Sequence, residues 1–173
     1  PWPVSDSSKR AGGFPGSVFG EMPNTSLEGT IAVVTGASRG AGRAIAVELG
    51  AAGATVYVTG RTTRTAPARA YATMLEAMGM ASMPGTIDDT ADAVSRAGGR
   101  GIAVRCDHTQ PDDVRRLFAR VEREHGRLDL LVNNAWGAHE TFVAEFEAPF
   151  WEQPLEHWDS MFTRGVRNHV ISS

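Results

Sequence analysis

Residues 31–44 read IAVVTGASRGAGRA, and this stretch decides the fold. An apolar run at 31–35, closed by glycine, is typical of a strand buried on both faces. A helix-forming sequence follows directly, although glycines stand at positions 36, 40 and 42. Because glycine weakens strands and helices alike, three glycines at this junction indicate that the backbone itself must come close to something.

The same alternation of strand and helix runs along the rest of the chain. Apolar runs predict strands at 31–35, 55–59, 102–106 and 128–132. Helical patterns predict helices at 41–52, 86–99 and 111–126, and a last helix that Pro154 opens and that continues through the terminal Ile171–Ser173. Four strands that alternate with helices predict an α/β fold class. They would form the N-terminal portion, about four strands, of a Rossmann-type doubly wound parallel sheet.

Length and composition predict one folded domain behind a polar lead-in. The chain has 173 residues, enough for a single core. Residues 1–28 are rich in Gly, Pro and Ser and lack an apolar signal core, so we expect a disordered lead-in. Residues 29–173 then form the Rossmann-type domain, which we expect to end before a fifth strand. Inside it, the stretch 62–85 is expected to be an insertion with a short helix near 70–78.

Charge and cysteine usage exclude several classes of partner. The net charge is −3, so we expect neither nucleic acid nor an acidic membrane surface as a partner. No apolar run approaches the ~18 residues of a membrane span. The single cysteine, Cys106, excludes an internal disulfide and fits a reducing, cytoplasmic compartment. Cys106 and His108 are too few to make a metal site, so we expect a buried thiol beside a surface histidine and no metal.

The three glycines find a use at the end of the first strand of such a sheet. The tight turn exposes unpaired N–H groups and the positive end of the helix dipole, which favour a pyrophosphate. Gly36 would permit the turn, Gly40 the close approach of the ligand, and Gly42 tight packing of the helix on the strand. Their spacing is GxxxGxG rather than GxGxxG, but the strand–turn–helix context is that of a dinucleotide site. A P-loop does not fit, because the chain has no Gly-Lys-Ser/Thr.

The end of the second strand indicates which dinucleotide is bound. An NAD site usually has an acid there for the ribose hydroxyls, but no acid occurs between Thr55 and Leu75. The strand instead runs into Arg61, whose guanidinium suits a 2′-phosphate. Arg39, inside the glycine turn, could add a second cation. We therefore predict NADP rather than NAD; the alternative is that both arginines are ordinary solvated side chains.

Four motifs in this order resemble the short-chain dehydrogenase/reductase family. They are TGASRGAG at 35–42, TGR at 59–61, Cys-Asp at 106–107 and Asn-Asn-Ala at 133–135. The stretch 150–169 also resembles the dehydrogenase/reductase member 1 branch, which likewise has an aromatic residue after Asn-Asn-Ala (Trp136 here). The resemblance implies that Asp107 lies beside the adenine and that Ser38 and Ala41 belong, with the glycines, to the cofactor-binding turn. It also implies that the cofactor edge is lined by Asn133, Asn134 and Ala135.

Two departures from the family pattern bear on activity. A helix position that carries a proton-relay Asn in much of the family is Gly165 here; the branch named above resembles this chain in having glycine there, so the change is open to interpretation as a branch trait rather than damage. The family also needs a Ser after strand five and a Tyr-x-x-x-Lys pair, in which the lysine lowers the tyrosine pKa. Tyr57 and Tyr71 are the only tyrosines, neither is followed by such a lysine, and the only lysine is Lys9. We therefore predict no catalytic residue in this chain.

The resemblance implies a longer parent enzyme that transfers hydride between NADP(H) and a carbonyl or alcohol substrate and that forms a homo-oligomer. This chain alone is expected to be inactive. The alternatives are a non-catalytic dinucleotide-binding module and an interaction protein that keeps only the fold. An aromatic cluster after strand four could be a substrate wall or a contact surface, and the sequence leaves this open. Its members are Trp136, Phe142, Phe146, Phe150, Trp151 and Trp158.

Overall fold

The structure is a computed structural model that describes residues 26–67, 84–137 and 149–173. Its strands are β1 Ile31–Val34, β2 Thr55–Gly60, β3 Arg100–Arg105 and β4 Leu130–Val132. Its longer helices are α1 Gly40–Ala51, α2 Ile87–Arg96 and α3 Pro111–His125. These predicted strands and helices are confirmed, with most ends shifted by one or two residues. The helix expected near 70–78 lies outside the described residues.

The four strands form one parallel sheet in the order β3-β2-β1-β4. In the register, Ala32 of β1 pairs with Val56 of β2 on one side and with Leu130 of β4 on the other. The strand order therefore reverses at β1: β2 and β3 lie on one side of it, and β4 lies on the other. In open α/β sheets the crevice at such a reversal, outside the carboxyl ends of the strands, is where ligands bind.

Helices cover both faces of the sheet. On one face, Val34 and Val56 pack with Ala46 of α1 and Val94 of α2. On the other face, the inward side chains of β1 and β2 pack against α3 in a cluster that contains Ile31, Val33, Tyr57, Val114, Leu117 and Val121. Because alternate residues of the same strands enter both clusters, β1 and β2 are buried on both sides. The predicted doubly wound arrangement is thus confirmed.

The boundary of the lead-in needs a correction. The backbone N–H of Leu27 donates to the Ala52 carbonyl at 2.7 Å, and the Leu27 side chain packs on the core cluster beside α1. A Cβ on Gly53 would lie 3.3 Å from the backbone nitrogen of Glu28. Residues 26–28 therefore belong to the folded body, since an apolar side chain and a backbone bond anchor them. Residues 1–25 lie outside the described part of the chain.

The last predicted helix is interrupted by a π-helical turn. Pro154 precedes α4 (Leu155–Met161), the π turn spans Phe162–Val166, and α5 covers Arg167–Ser172. The Arg164 carbonyl in the π turn accepts bonds from the Gly137 N–H at 3.2 Å and from Asn168 Nδ2 at 2.8 Å. The turn is thereby joined to the loop after β4. Among residues 26–67, 84–137 and 149–173, no helix combines the length and the apolar character needed to cross a bilayer.

Candidate cofactor site

The glycine turn lies at the carboxyl end of β1, at the point where the sheet order reverses. Gly36 has a φ of +66° and Gly40 a φ of +55°, conformations that side-chain-bearing residues rarely adopt. A Cβ on Gly36 would also lie only 2.7 Å from the Cα of Ala135. Gly36 thus permits both the turn and the contact with the loop after β4.

Gly42 has a different packing partner from the one predicted. A Cβ at this position would lie 2.7 Å from the Gly36 carbonyl oxygen and would overlap the Asn134 side-chain amide. Asn134 Nδ2 in turn donates to the Thr35 carbonyl at 2.8 Å and to the Gly36 carbonyl at 3.1 Å. Gly42 therefore allows the helix to approach its own turn and the β4 loop, not the strand.

Thr35 organises this region, a role that sequence reasoning missed. Its hydroxyl donates to the Val132 carbonyl at 3.2 Å and accepts the backbone N–H groups of Asn134 and Ala135, each at 2.9 Å. The Asn-Asn-Ala loop is therefore fastened to the end of β1. Asn133 faces elsewhere, since its Nδ2 donates to Ser173 Oγ at 3.0 Å.

The beginning of α1 is open to an anion. Its N-cap residue, Arg39, makes no side-chain cap bond, and the first turn, which includes Ala41, contains no acid. The first N–H groups of a helix have no intrahelical partner and carry the positive end of the helix dipole. Because no atom lies within 4 Å of the place that a Cβ on Gly40 would take, this helix start can receive a phosphate group.

The two arginines predicted to bind a 2′-phosphate have contacts within the chain. Arg39 Nη2 donates to the Gly85 carbonyl at 2.9 Å. The Arg61 guanidinium lies 4.0 Å from the Asp107 carboxylate, and the Arg61 side chain is 43% exposed. The Ala37 N–H donates to the Thr59 carbonyl at 2.9 Å, so the glycine turn adjoins the end of β2 that carries Arg61. The hydrogen bond to Gly85 joins the Arg39 side chain to the last residue of the 62–85 stretch. Ser38 is the residue next to Arg39 in the glycine turn.

Asp107 follows β3 at the same edge of the sheet. Its Oδ1 accepts from the Thr109 N–H at 3.0 Å and from the Thr109 hydroxyl at 2.7 Å, and its own N–H donates to Asp113 Oδ2 at 3.0 Å. Burial opposes its ionisation, but the Thr109 bonds and the Arg61 charge outweigh burial and lower the pKa of Asp107. An ionised Asp107 therefore borders the place where the resemblance puts the adenine, and this role stays a prediction.

A family model described as enoyl-(acyl carrier protein) reductase matches residues 68–168, more than half of the chain. The chain belongs to the short-chain dehydrogenase/reductase family. Dehydrogenase/reductase SDR family member 1 of Mus musculus is 40% identical over 148 residues, which cover 85% of this chain and 41% of that protein. A short-chain dehydrogenase structure from Mycobacterium thermoresistibile matches with a TM-score of 0.65 at 28% identity, over 85% of this chain and 45% of that chain.

A 3β-hydroxysteroid dehydrogenase of Mediterraneibacter gnavus is 34% identical over 140 residues, which cover 80% of this chain and 43% of that protein. This short-chain dehydrogenase/reductase chain therefore spans about two-fifths of the length of the curated relatives it matches. Members of the family are oxidoreductases that bind nicotinamide dinucleotides. The predicted resemblance is confirmed.

Gly165 departs from the family's relay Asn for a visible reason. A Cβ at this position would lie 3.0 Å from Cδ1 and 3.1 Å from Nε1 of the Trp136 indole. The aromatic residue after Asn-Asn-Ala therefore occupies the space that a side chain at 165 would need. One turn later, Asn168 Nδ2 and His169 Nε2 both lie 2.9 Å from the Ala135 carbonyl. These two side chains, which sequence reasoning missed, tie the Asn-Asn-Ala loop to α5.

The expected surface histidine is buried. His108 is 5% exposed, and its Nε2 lies 2.8 Å from the Thr59 hydroxyl, which itself donates to the Val34 carbonyl at 3.1 Å. Nε2 therefore carries the proton. Burial lowers the pKa of His108 to about 4 and raises that of the Cys106 thiol to about 12, so both groups are neutral near pH 7. The described residues contain no cluster of three or more potential metal-binding side chains.

Tyr57 is unsuited to proton transfer. It is fully buried in β2, and its hydroxyl donates to Glu124 at 2.6 Å. Burial, with the hydrogen bond and charge of Glu124, raises the pKa of Tyr57 to about 12. Tyr71, the other tyrosine, lies outside the described residues.

The aromatic cluster faces outward wherever it is described. Phe150, Trp151 and Trp158 are 81%, 71% and 60% exposed, and Trp136 is 47% exposed. Phe142 and Phe146 lie outside the described residues. Among the described residues these four side chains are therefore not part of the core. The two predicted uses, a substrate wall and a contact surface, stay predictions.

Proposed function

We propose that this chain is the NADP-binding half of a longer short-chain dehydrogenase/reductase that transfers hydride between NADP(H) and a carbonyl or alcohol substrate. The observation that carries the proposal is the uncapped, acid-free start of α1 behind a glycine turn. A pyrophosphate would be held there by backbone N–H groups of residues 40–42. The nicotinamide cofactor would supply the hydride, and this chain would bind and orient it.

The preference for NADP rests on Arg61. This residue directly follows β2, where an NAD site usually carries an acid, and its side chain is partly exposed beside Asp107. A charge-assisted bond to a 2′-phosphate contributes roughly 1.5–3 kcal/mol. NADH lacks that phosphate, so Arg61 would give it no such contact.

We propose that this chain alone binds NADPH without turnover. Reduction of a carbonyl leaves negative charge on oxygen, and a group must supply a proton. The sequence has no Tyr-x-x-x-Lys pair. Tyr57 cannot replace it, because its hydroxyl is buried and has a raised pKa. Loss of the general acid typically removes 10²–10⁴-fold of the rate.

The test uses protein of confirmed 173-residue mass. NADPH fluorescence titration should show saturable binding, while aldehydes, ketones and quinones should give no turnover. Turnover at an ordinary enzymatic rate would contradict the proposal, and so would the absence of NADPH binding by folded protein. The alternative is a non-catalytic dinucleotide-binding module. It predicts that the longer protein is inactive too.

We also propose that the longer protein is a homo-oligomer that uses the outer face of α4 and α5. This face exposes Leu155, Trp158, Phe162, Val166 and Val170. Acidic Glu156 and Asp159 lie before its midpoint and Arg167 lies after it, so an antiparallel pair of copies would align opposite charges. Sedimentation of Trp158→Glu should show a lower oligomeric state than wild type, whereas Arg115→Glu on α3 should not.

The proposed location is the cytoplasm, because the only thiol, Cys106, is free and buried. A fluorescent-protein fusion to the longer protein would test this, and export from the cytoplasm would contradict it.

A further inference from the structure

One arginine, Arg64, contacts three carboxylates at the beginning of α2. The Arg64 backbone N–H donates to Asp88 Oδ2 at 3.0 Å. Its guanidinium donates to Asp89 Oδ1 from Nε at 3.0 Å and from Nη2 at 2.8 Å, and Nη2 also contacts Asp92. The cofactor site described above makes no use of this cluster.

The cluster stands beside the proposed 2′-phosphate contact. The Ile87 N–H donates to the Thr62 carbonyl at 3.0 Å, so the loop that leaves β2 runs along the start of α2. Arg61 is the residue directly before Thr62. The acids of α2 and the cation proposed to bind the cofactor are therefore carried by two segments that are bonded together.

The hydrogen bonds within the cluster favour the ionised form of Asp89. The Thr86 hydroxyl and the Arg64 guanidinium both donate to Asp89 and lower its pKa. A 2′-phosphate brings about −1.5 to −2 further charges at pH 7. Without a counter-ion, the carboxylates of α2 would repel the 2′-phosphate. The loop after β2 would also lose the side-chain bonds that hold it beside α2.

We propose that Arg64 determines selectivity for the 2′-phosphate indirectly, as the counter-ion and anchor of the α2 acids, while Arg61 makes the contact. This inference rests on the proposed function. It makes Arg64 a positioning residue, because its guanidinium is bound to carboxylates rather than directed at the ligand. The competing possibility is that Arg64 leaves the acids and binds the phosphate itself.

The test measures the affinity of the full chain for NADPH and NADH, and for 2′,5′-ADP and ADP as probes of the adenosine end. We expect Arg64→Met to weaken the two 2′-phosphorylated ligands about three- to fivefold, the size expected for solvated charge pairs. NADH and ADP should change less than twofold. Arg64→Lys should lie between, because an ammonium keeps the charge without bridging two carboxylates. Arg115→Met, which removes an exposed arginine paired with Asp112 on α3, is the matched control.

A double-mutant cycle separates an indirect role from a direct contact. In the Asp89→Asn/Asp92→Asn background, Arg64→Met should cost the phosphorylated ligands less than twofold, because its partners are already neutral. An undiminished loss in that background would show a direct phosphate contact and overturn the inference. Equal weakening of NADPH and NADH would show a structural role only and overturn it as well. Circular dichroism and thermal melting confirm that each variant is folded.

The proposed function fails in a distinguishable way. If wild type binds NADPH and NADH equally and Arg61→Met changes neither affinity, the assignment of Arg61 and the inference on Arg64 are both wrong. If Arg61→Met removes the preference while Arg64→Met leaves it intact, only the inference on Arg64 is overturned.

Discussion

The beginnings of the helices differ sharply within this small molecule. At α2, the Thr86 side chain accepts the Asp89 N–H at 3.0 Å, and Asp88 and Asp89 occupy the first turn. At α3, the N-cap residue makes no side-chain cap bond either, but Pro111 begins the helix and the acids Asp112 and Asp113 follow. At α1, Arg39 provides no cap bond and the first turn has no acid.

This contrast supports the proposed cofactor site at the start of α1. First-turn acids, with a cap at α2, offset the helix dipole from within the chain, which stabilises the helix. The start of α1 lacks that stabilisation, as expected if its N–H groups bind an external anion. One change of pH and three substitutions should break or sharpen the distinction.

Acid should destabilise the fold through His108, the buried side chain between β3 and α3. Its pKa of about 4 in the fold lies below the ordinary 6.5, because the side chain is buried. Above pH 6.5 the group is neutral in both states and contributes nothing to the pH dependence. As the pH falls to about 4, the unfolded state takes up the proton first, so stability drops by about 1.4 kcal/mol per pH unit, roughly 3 kcal/mol in all.

Urea unfolding between pH 7.5 and 4 measures this effect. The control is His108→Gln, in which the slope between pH 6.5 and 4 should flatten. An unchanged slope in that variant would assign the acid sensitivity to other groups, such as Asp107, whose lowered pKa acts in the same direction.

Adding a side chain at the glycine turn should strongly weaken cofactor binding. In Gly42→Ala the new methyl would lie 2.7 Å from the Gly36 carbonyl, so the helix and its turn must separate. We expect NADPH affinity to fall about hundredfold, as for other misplacements near 1 Å. Gly126→Ala is the control: its φ of +67° brings strain of roughly 1–2 kcal/mol, but no atom lies within 4 Å of the new Cβ. Equal NADPH affinity of both variants would show that the glycine turn is not part of the cofactor site.

Reversing the charge after β2 should reverse the cofactor preference. Arg61→Asp should weaken NADPH about ten- to hundredfold, because a cation that binds the 2′-phosphate becomes an anion that repels it. NADH should be held at least as well, since an acid at this place suits its ribose hydroxyls. NADPH fluorescence titration beside NADH is the measurement, and an unchanged ratio would contradict the assignment.

Giving α1 an acid should make its start resemble that of α3. Ala41→Asp places a carboxylate in the exposed first turn, which should stabilise the free protein by about 0.3–1 kcal/mol. The same carboxylate should weaken NADPH about fivefold by repelling the pyrophosphate. Asp112→Ala on α3 should lower the stability of the protein and leave NADPH binding unchanged. Melting curves with and without NADPH give both quantities, and tighter binding by Ala41→Asp would show that no anion lies there.

Part of the candidate site was predictable from local sequence. The strand at 31–34, the glycines and the helix after them follow a local pattern that the sheet preserves. The placement of the 133–135 loop came from a resemblance rather than from periodicity. The anchoring roles of Thr35, Asn168 and His169 could not be predicted, because each bonds a carbonyl or N–H from an element at least 30 residues away.

The sequence alone determined the alternation of strands and helices, the parallel sheet and the place of the glycine turn, because hydrophobic period and glycine conformation act over a few neighbouring residues. Tertiary structure decided which contacts those residues make. It buried His108 and brought Trp136 over Gly165. It also placed three acids around Arg64 and joined a π turn to the loop after β4. These outcomes depend on which distant atoms meet once the sheet is assembled, and hydrogen bonds and close packing between distant segments leave no period in the chain.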